Sequence, residues 1–275
     1  MALLPIYLDH AATTPVDAEV VRAMLLYFGE DYGNPSSIHC FGQRAEHAVS
    51  LARRQVAEIL ACRPEEIVFT GCGSESDNLA LRGAAMAARA SGRGNHLIAS
   101  AIEHHAVLNT TFQLRDIYGF DLTVLPVDPF GIVSAEDVAR AIRPDTILVS
   151  VMYANNEIGV LQPIAEIAHE TRAQGVLMHT DAVQAASQLD LDVEVLGVDM
   201  MSLSAHKFYG PKGVGALYVR EGVDLEPAIT GGGQERGWRS GTQNVALIAG
   251  MAAAIRLTVE RRDRDNQQFA RHRDR

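Results

Sequence analysis

Lysine is scarce in this chain: of its 24 lysines and arginines, only Lys207 and Lys212 are lysine. Arginine pairs with carboxylates and grips phosphates, but it keeps its proton near neutral pH and cannot act as an amine nucleophile. Lysine can do so when burial or neighbouring charges lower its pKa. At least one of the two lysines is therefore predicted to serve covalent chemistry. Lys212, inside the glycine-rich stretch GPKGVG, is more typical of a solvated loop residue.

Long apolar runs and paired cysteines are also missing. No run reaches the roughly 18 residues needed to cross a bilayer, so no membrane association is expected. The N-terminus, MALLPIYLDH, has no basic start and meets an aspartate too early for a signal peptide. Cys40, Cys62 and Cys72 lie far apart, which argues against a disulfide scaffold and favours a cytoplasmic location. Cys40 and Cys62 are interpreted as ordinary small apolar residues.

Metal and nucleic-acid signatures are absent as well. The ten histidines form no H-E-x-x-H and the cysteines no C-x-x-C, while the adjacent pair His104–His105 would point in two directions, so no metal site is predicted. The formal net charge is -10 although the last fifteen residues are basic, and we interpret that tail as a solvated helix face. An acidic body argues against nucleic acid as a partner.

Helical and strand patterns alternate along the chain. The pattern predicts helices over 44–60, 74–90, from about 104, 134–142 and 163–174, with Ser74 and Asp77 as a rough capping pair at the start of the second. It predicts apolar strands over 66–70, 96–100, 121–127, 146–152, 175–181 and 198–204. Continuous apolar strands separated by helices indicate an α/β fold, a mostly parallel sheet with helices on both faces.

Polar residues follow five of the predicted strands. They occur in the segments TGCGSES, IEHHA, YANNE, HTDAVQ and SAHK. Ligands of such sheets gather at the carboxyl ends of the strands, so these segments are expected to converge on one site.

The segment TGCGSE combines a strand end, a glycine turn and a helix start. Amide groups at a helix N-terminus bind phosphate well, and Ser74 adds a hydroxyl. An ordinary capped turn is the alternative. A nucleotide-binding domain is a weak alternative, because the segment matches neither G-x-G-x-x-G nor the P-loop motif.

Four further residues fit one cofactor. Asp181 could pair with a protonated ring nitrogen or cap a helix, and His104 could stack on a flat ring or simply begin a helix. Ser204 and His206, which precede Lys207, could donate to a phosphate. A phosphate cradle, a carboxylate, a flat histidine and an imine-forming lysine are the set that pyridoxal phosphate requires.

Several long motifs resemble one family, the cysteine desulfurases of the class V aminotransferase group, which depend on pyridoxal phosphate. The motifs are YLDHAATTPV, GNPSSIHCFGQ, VMYANNEIGVLQPI, HTDAVQA, SLSAHKFYGPKGVGALYVR and GGGQERGWRSGTQN, so the resemblance runs from residue 6 to the end of the chain. It implies the large domain of a fold-type I pyridoxal-phosphate transferase. The form CGSE at 72–75 resembles the branch that supplies sulfur for nitrogenase clusters.

The resemblance implies a role for each matching residue. Lys207 would form the Schiff base with the cofactor and later move the α-proton of the substrate. Asp181 would face the pyridinium nitrogen, Gln184 would bond the phenolic oxygen, and His104 would stack on the ring. Asn156 would help to place the substrate carboxylate. The phosphate would be held by Gly73, Ser74, Ser204 and His206, and Thr242 would reach the phosphate of the partner subunit in a homodimer.

The implied activity converts L-cysteine to L-alanine and passes the sulfur, as a persulfide, to an iron–sulfur scaffold or another acceptor. The implied organisation is a segment 1–15 that contributes to the active site, a cofactor-binding domain 16–250, and a helix 251–275 leading to a small C-terminal domain that is largely missing. In the family, that domain carries the persulfide cysteine and a substrate-binding arginine. Alternatives are a selenocysteine lyase or another class V enzyme, and a truncated, non-catalytic homologue that binds the cofactor and dimerises.

Overall fold

The computed structural model describes residues 5–275. Within them the strands are β1 Ile67–Thr70, β2 His96–Ser100, β3 Asp121–Leu125, β4 Thr146–Ser150, β5 Leu177–Asp181, β6 Met200–Ser204 and β7 Gly215–Val219. The helices are α1 Ala18–Gly29, α2 Cys40–Ile59, α3 Gly73–Ala90, α4 His105–Asp116, α5 Ala135–Ala141, α6 Ile164–Ala173, α7 Val193–Leu196 and α8 Val245–Arg273.

The strands form one sheet in the order β1-β7-β6-β5-β4-β2-β3. The pairs β2–β3, β2–β4, β4–β5 and β5–β6 are parallel, and β7 runs antiparallel to both of its neighbours. The prediction of a mostly parallel α/β sheet is therefore confirmed. Because the parallel strands share one direction, the polar segments that follow them meet at one edge of the sheet.

Each face of the sheet has its own apolar core. Successive residues of a strand point to opposite faces, so Met200 packs into one core and Met201 into the other. The core that holds Met201 contains residues of α2, α6 and α8, and the core that holds Met200 contains residues of α3 and α4. The strands read as continuous apolar runs because both of their faces are buried.

Helix α3 begins differently from the prediction. Its N-cap is Cys72, whose sulfur accepts a 3.4 Å hydrogen bond from the Glu75 amide. Ser74 lies inside the first turn, and Asp77 is buried rather than part of a capping pair. The capping prediction was therefore wrong. The helix begins at Gly73, one residue before the predicted start, because Cys72 has an extended backbone and occupies the N-cap position.

Other boundaries and elements differ from the sequence patterns. Strand β1 begins at Ile67, because Glu66 belongs to a 3-10 turn, Pro64–Glu66. The sequence patterns missed α1, α7 and β7. Helix α8 begins at Val245, five residues before the predicted domain boundary at residue 250. That boundary stays a prediction. The first four residues of the predicted segment 1–15 lie outside the described residues. No helix in residues 5–275 is both long and apolar enough to span a membrane.

Candidate active site

One cavity, of about 310 Å³, lies where the polar ends of the parallel strands meet. Every residue predicted to hold the cofactor or the substrate, except Thr242, lines it: Gly73, Ser74, His104, Asn156, Asp181, Gln184, Ser204, His206 and Lys207. Thr242 is exposed, in the loop that precedes α8. The fold thus brings together side chains that are up to 134 residues apart in sequence, counted from Gly73 to Lys207.

Lys207 ends a 3-10 turn, Ala205–Lys207, that follows β6 directly. Its Nζ donates hydrogen bonds to the carbonyl oxygens of Ala11, at 2.5 Å, and Ala12, at 3.1 Å. Burial lowers the pKa of Lys207, and the nearby carboxylate of Asp181 opposes that shift. Partial burial therefore favours the neutral, nucleophilic amine.

The segment from Ala11 to Thr14 covers one side of the cavity. The Gln184 side-chain amide donates to the Ala11 carbonyl at 2.8 Å, and the Thr14 amide donates to the His206 carbonyl at 2.9 Å. His206 Nδ1 lies 3.0 Å from the Thr13 hydroxyl, and burial lowers the pKa of His206. These contacts hold the N-terminal segment against the turn that carries Lys207.

The N-terminus of α3 forms one side of the cavity. Gly73 is the first helical residue and is buried. A Cβ at this position would lie 2.8 Å from a Val183 methyl carbon and 3.2 Å from the Ser204 Cβ, so the position requires glycine. Ser74 follows with an exposed side chain. Helix-terminal amides and the positive end of the helix dipole favour a phosphate group here.

Asp181 is the last residue of β5 and is buried. Its carboxylate accepts a 2.9 Å hydrogen bond from the Val183 amide. Burial raises the pKa of Asp181, and the hydrogen bond from Val183 and the neighbouring basic side chains of His104 and Lys207 lower it. The residue therefore faces two basic groups across the cavity.

Asp77 is a cavity residue that the sequence reasoning missed. It lies on α3, is 1% exposed, and its Oδ1 has no hydrogen-bond partner among the described residues. Ligand-type atoms of Asp77, His104 and Asp181 all lie within 4.8 Å of one another. Two carboxylates and an imidazole suit a protonated ring nitrogen, and the same donors could hold a divalent cation, which no motif had indicated.

His104 occupies the N-cap position of α4. Its Nδ1 accepts a 3.1 Å hydrogen bond from the Ala106 amide, while its ring is exposed toward the cavity. The two interpretations of this residue, a helix cap and a ring that stacks on a cofactor, are compatible, because the ring that caps α4 also lines the cavity. Accepting through Nδ1 leaves Nε2 as the protonated nitrogen of the neutral ring.

A buried polar row runs beneath the cavity. His179 is bonded to the Ser150 hydroxyl at 2.9 Å and to the Ser202 hydroxyl at 3.0 Å, so it links β4, β5 and β6. Burial lowers the pKa of His179 to about 3. Glu103 accepts from the Ser100 hydroxyl and the Met152 amide, and burial raises its pKa to about 8. The sequence could have indicated this row, because its serines and His179 are polar residues within otherwise apolar strands.

The loop that carries Thr242 is anchored by two acidic side chains. Buried Glu235 pairs with both terminal nitrogens of Arg53, at 2.7 and 2.8 Å, and accepts from the Phe69 amide at 2.9 Å. Arg239 donates to Glu75 of α3 at 2.7 Å. The loop is therefore fixed to β1 and to the first turn of α3.

The cysteines differ in environment. Cys72 is exposed and lines the cavity. Cys62 is partly buried, and burial raises the pKa of its thiol to about 12. Cys40 is exposed at the first residue of α2, so it packs less deeply than the partly buried Cys62. All three thiols are free.

Comparison with known proteins agrees with this geometry. Residues 6–273 match the family model described as aminotransferase class-V. A curated relative, cysteine desulfurase IscS of Methanosarcina thermophila, is 49% identical over 270 residues, which cover 98% of this chain and 66% of that protein. The chain thus spans about two thirds of the length of this relative.

Solved structures give the same result. A structure titled "NIFS-LIKE PROTEIN" has a TM-score of 0.95 and 42% identity, with 98% of this chain and 74% of that chain covered. One titled "SspA in complex with cysteine" has a TM-score of 0.88 and 44% identity, with 92% and 72% covered. The chain belongs to the class-V aminotransferase family and, within it, to the cysteine desulfurases.

Proposed function

We propose that this chain binds pyridoxal phosphate at Lys207 and serves a cysteine desulfurase that converts L-cysteine to L-alanine. The single observation that carries the proposal is the arrangement around the cavity: the amine of Lys207, the carboxylate of Asp181 and the N-terminus of α3 line the same space. An imine-forming amine, a partner for a ring nitrogen and a phosphate site are the three requirements of this cofactor.

The residues fit the cofactor in shape as well as in kind. The cradle at Gly73 admits no Cβ, which matches a phosphate held close to the backbone, with Ser74, Ser204 and His206 as further donors. Asp181 would face the ring nitrogen, Gln184 the phenolic oxygen and His104 the ring face. When bound, pyridoxal phosphate supplies an electron sink for charge that develops at the substrate α-carbon.

The side chains of this protein would bind the substrate and move its protons. Lys207, with a lowered pKa, would take the α-proton as a neutral amine and return a proton to the product. The carbonyl oxygens of Ala11 and Ala12, which accept hydrogen bonds from Nζ, would orient the amine whenever it is not bonded to the cofactor. Asn156, whose amide donates to Glu157 at 2.7 Å, would turn toward the substrate carboxylate.

The proposed overall reaction balances with one thiol. The carbon–sulfur bond of L-cysteine breaks, the sulfur joins a thiol as a persulfide, and alanine leaves. The solved neighbour titled as a complex with cysteine supports the choice of substrate. Passage of the persulfide sulfur to an iron–sulfur scaffold or another acceptor, in a cytoplasmic setting, completes the proposal.

A homodimer belongs to the same proposal. Thr242 lies outside the cavity of its own chain, on a loop held by Glu235 and Arg239, and its side chain is exposed. An exposed hydroxyl on an anchored loop suits a contact with the phosphate of a second subunit.

Borohydride trapping tests the central assignment. The protein is incubated with pyridoxal phosphate, reduced with borohydride, digested and mapped. The label is expected on Lys207, and it should disappear in Lys207→Ala and Lys207→Arg while persisting in Lys212→Arg, the matched control at the other lysine. A label confined to Lys212, or no uptake by the unaltered protein, would refute the proposal.

Alanine release then tests the substrate. The loaded protein is given L-cysteine or L-selenocysteine with dithiothreitol, and alanine is measured. Release from L-cysteine is expected. Release from L-selenocysteine alone would instead assign a selenocysteine lyase.

A further inference from the structure

Two neighbouring residues in the loop that carries Thr242 have a strained backbone. Glu235 has a φ of +47° and Arg236 a φ of +58°, although neither residue is glycine. Residues with a Cβ rarely adopt this left-handed conformation, and they keep it only where the surrounding contacts enforce it. The loop is therefore built around a turn that other parts of the fold must hold in place.

The buried carboxylate of Glu235 holds this turn. It accepts hydrogen bonds from both terminal nitrogens of Arg53, at 2.7 and 2.8 Å, and from the Phe69 amide at 2.9 Å. Arg53 lies on α2 and Phe69 on β1, so these bonds tie the strained turn to the body of the fold. A further bond, of 2.5 Å, comes from the side-chain amide of Gln243, the residue that follows Thr242.

The residue on the other side of Thr242 is held as well. The Oε1 atom of Gln234 accepts a 2.9 Å hydrogen bond from the Gly241 amide. Gly241 has a φ of +120°, a conformation that favours glycine. The adjacent side chains of Gln234 and Glu235 thus hold the two flanks of Thr242, whose own side chain is exposed.

Fixed flanks matter because the Thr242 hydroxyl is proposed to contact a phosphate. A hydroxyl bonds a phosphate oxygen only within roughly 2.5–3.0 Å, so a small displacement of its backbone loses the bond. A loop that is ordered before the subunits meet also lowers the entropic cost of the contact. Backbone strain at such a position is typical of functional sites.

We propose that Glu235 is a positioning residue that acts across the subunit boundary: through Gln243 it fixes Thr242 for the cofactor phosphate of the second subunit. The inference rests on the proposed function, namely on pyridoxal phosphate at Lys207 and on a homodimer. Contacts made within one chain then determine the cofactor affinity of the other chain, which an anchor with a purely structural role does not do.

Mixed dimers test this direction. A chain with an intact Lys207 is co-expressed with a differently tagged Lys207→Ala chain, and dimers that carry both tags are purified. Only the intact chain can be labelled at this position by pyridoxal phosphate and borohydride, so labelling across a cofactor titration reports the affinity of one site. Gln243→Met, which keeps the size of the side chain but removes its donor, is placed in one chain or the other.

The chain that carries the variant decides the result. In the Lys207→Ala chain, Gln243→Met is expected to weaken cofactor binding at the intact site about fivefold. In the chain with Lys207 it should leave that site unchanged. Gln268→Met, at an exposed glutamine of α8, is the matched control and should have no effect in either chain. A loss that follows the chain with Lys207, an equal loss in both arrangements, or no loss in either would overturn the proposal.

A double-mutant cycle separates positioning from general loosening of the loop. In homodimers, Thr242→Val removes the hydroxyl and should weaken cofactor binding about tenfold. Adding Gln243→Met to Thr242→Val should cause no further loss, since the donor acts only by placing that hydroxyl. Losses that multiply would show that the two residues act independently and would contradict the proposal.

Trypsin cleavage of the cofactor-free protein tests the anchor itself. Arg236 and Arg239 are cleavage sites within the loop, and a loop held by Glu235 should resist cleavage at both. Glu235→Gln should be cut there faster than wild type, whereas Glu260→Gln, at an exposed pair, should not. Equal rates in wild type and Glu235→Gln would overturn the anchoring role. If Glu235→Gln fails to fold, Gln243→Met takes its place, because it leaves the ion pair with Arg53 intact.

A monomeric protein that is still labelled at Lys207 would overturn the inference and leave the proposed cofactor site intact. A protein that takes up no cofactor would overturn the proposed function, while the trypsin rates still decide whether Glu235 fixes the loop.

Discussion

The carboxylate of Glu75 accepts a 2.7 Å hydrogen bond from the guanidinium of Arg239, 164 residues away in the chain. Its second oxygen accepts a 2.8 Å bond from the Gly71 amide. One side chain thus holds both the glycine turn before α3 and the loop that carries Thr242. The pair joins the proposed phosphate cradle to the loop proposed to reach a second subunit.

Arg239→Ala is expected to loosen this connection. Both partners are about one-quarter exposed, so the loss should lower the free energy of unfolding by about 1 kcal/mol. Pyridoxal-phosphate affinity should fall too, because the loop would lose its contact with Glu75, which also holds the Gly71 amide of the glycine turn. Denaturant unfolding and cofactor titration measure the two effects. Arg256→Ala, which removes an exposed pair with Glu260, is the matched control and should leave cofactor affinity unchanged.

Glu235 should matter more for stability than any exposed acidic residue. Its buried carboxylate holds Arg53 through two bonds and accepts the Phe69 amide hydrogen, so Glu235→Ala leaves a largely buried guanidinium unpaired. We expect a loss of about 3 kcal/mol in the free energy of unfolding, measured with urea. Glu260→Ala, at an exposed pair, should cost less than about 1 kcal/mol. Equal costs would show that burial of Glu235 is unimportant.

Lys207 should react with amine reagents at lower pH than a free lysine side chain. Burial lowers its pKa from 10.5, so a larger fraction of the amine is neutral at any given pH below that value. Acetylation of the cofactor-free protein, followed by peptide mapping across a pH series, measures the midpoint. The modification of Lys212 in the same digests reports how the reagent itself varies with pH. A midpoint at or above 10.5 would contradict the predicted shift.

Glu103 should make stability fall as the pH rises. Burial raises its pKa to about 8 in the folded protein, against 4.5 for an ordinary glutamate, so the folded state keeps a proton that the unfolded chain releases. Its stabilising contribution is present below pH 4.5 and is lost as the pH rises toward 8, by at most about 1.4 kcal/mol per pH unit. Glu103→Gln should remove this dependence.

Urea unfolding of both proteins between pH 5 and 8 measures the difference. His179 acts in the opposite sense below its ordinary pKa of 6.5, because its folded-state pKa is about 3. It is present in both proteins and cancels in the comparison. Glu136→Gln, at an exposed position of α5, is the control. A difference between wild type and Glu103→Gln that does not change with pH would sink the prediction.

The predictability of the fold varied from element to element. Strands β4, β5 and β6 were found within two residues of their ends, because continuous apolar runs are a strong signal when both sheet faces are buried. Strand β7 was missed, since GALYV follows a glycine-rich turn and runs against its neighbours. Helix α1 was missed although Asp17 caps it, because many of its apolar side chains remain exposed and blur the pattern.

The sequence alone predicts that the polar residues at the strand ends lie close together. Polar groups that follow an apolar run are visible locally, and parallel strands bring their carboxyl ends to one edge of the sheet. That is why the sequence predicts one site for Lys207, Asp181 and Ser74, which line the same cavity in the fold. Only the tertiary structure decided how burial shifts the pKa values of the titratable groups in and around that cavity. The environments of Asp77, Glu103 and His179 depend on burial and on neighbours from other strands and helices, and no local pattern encodes either quantity.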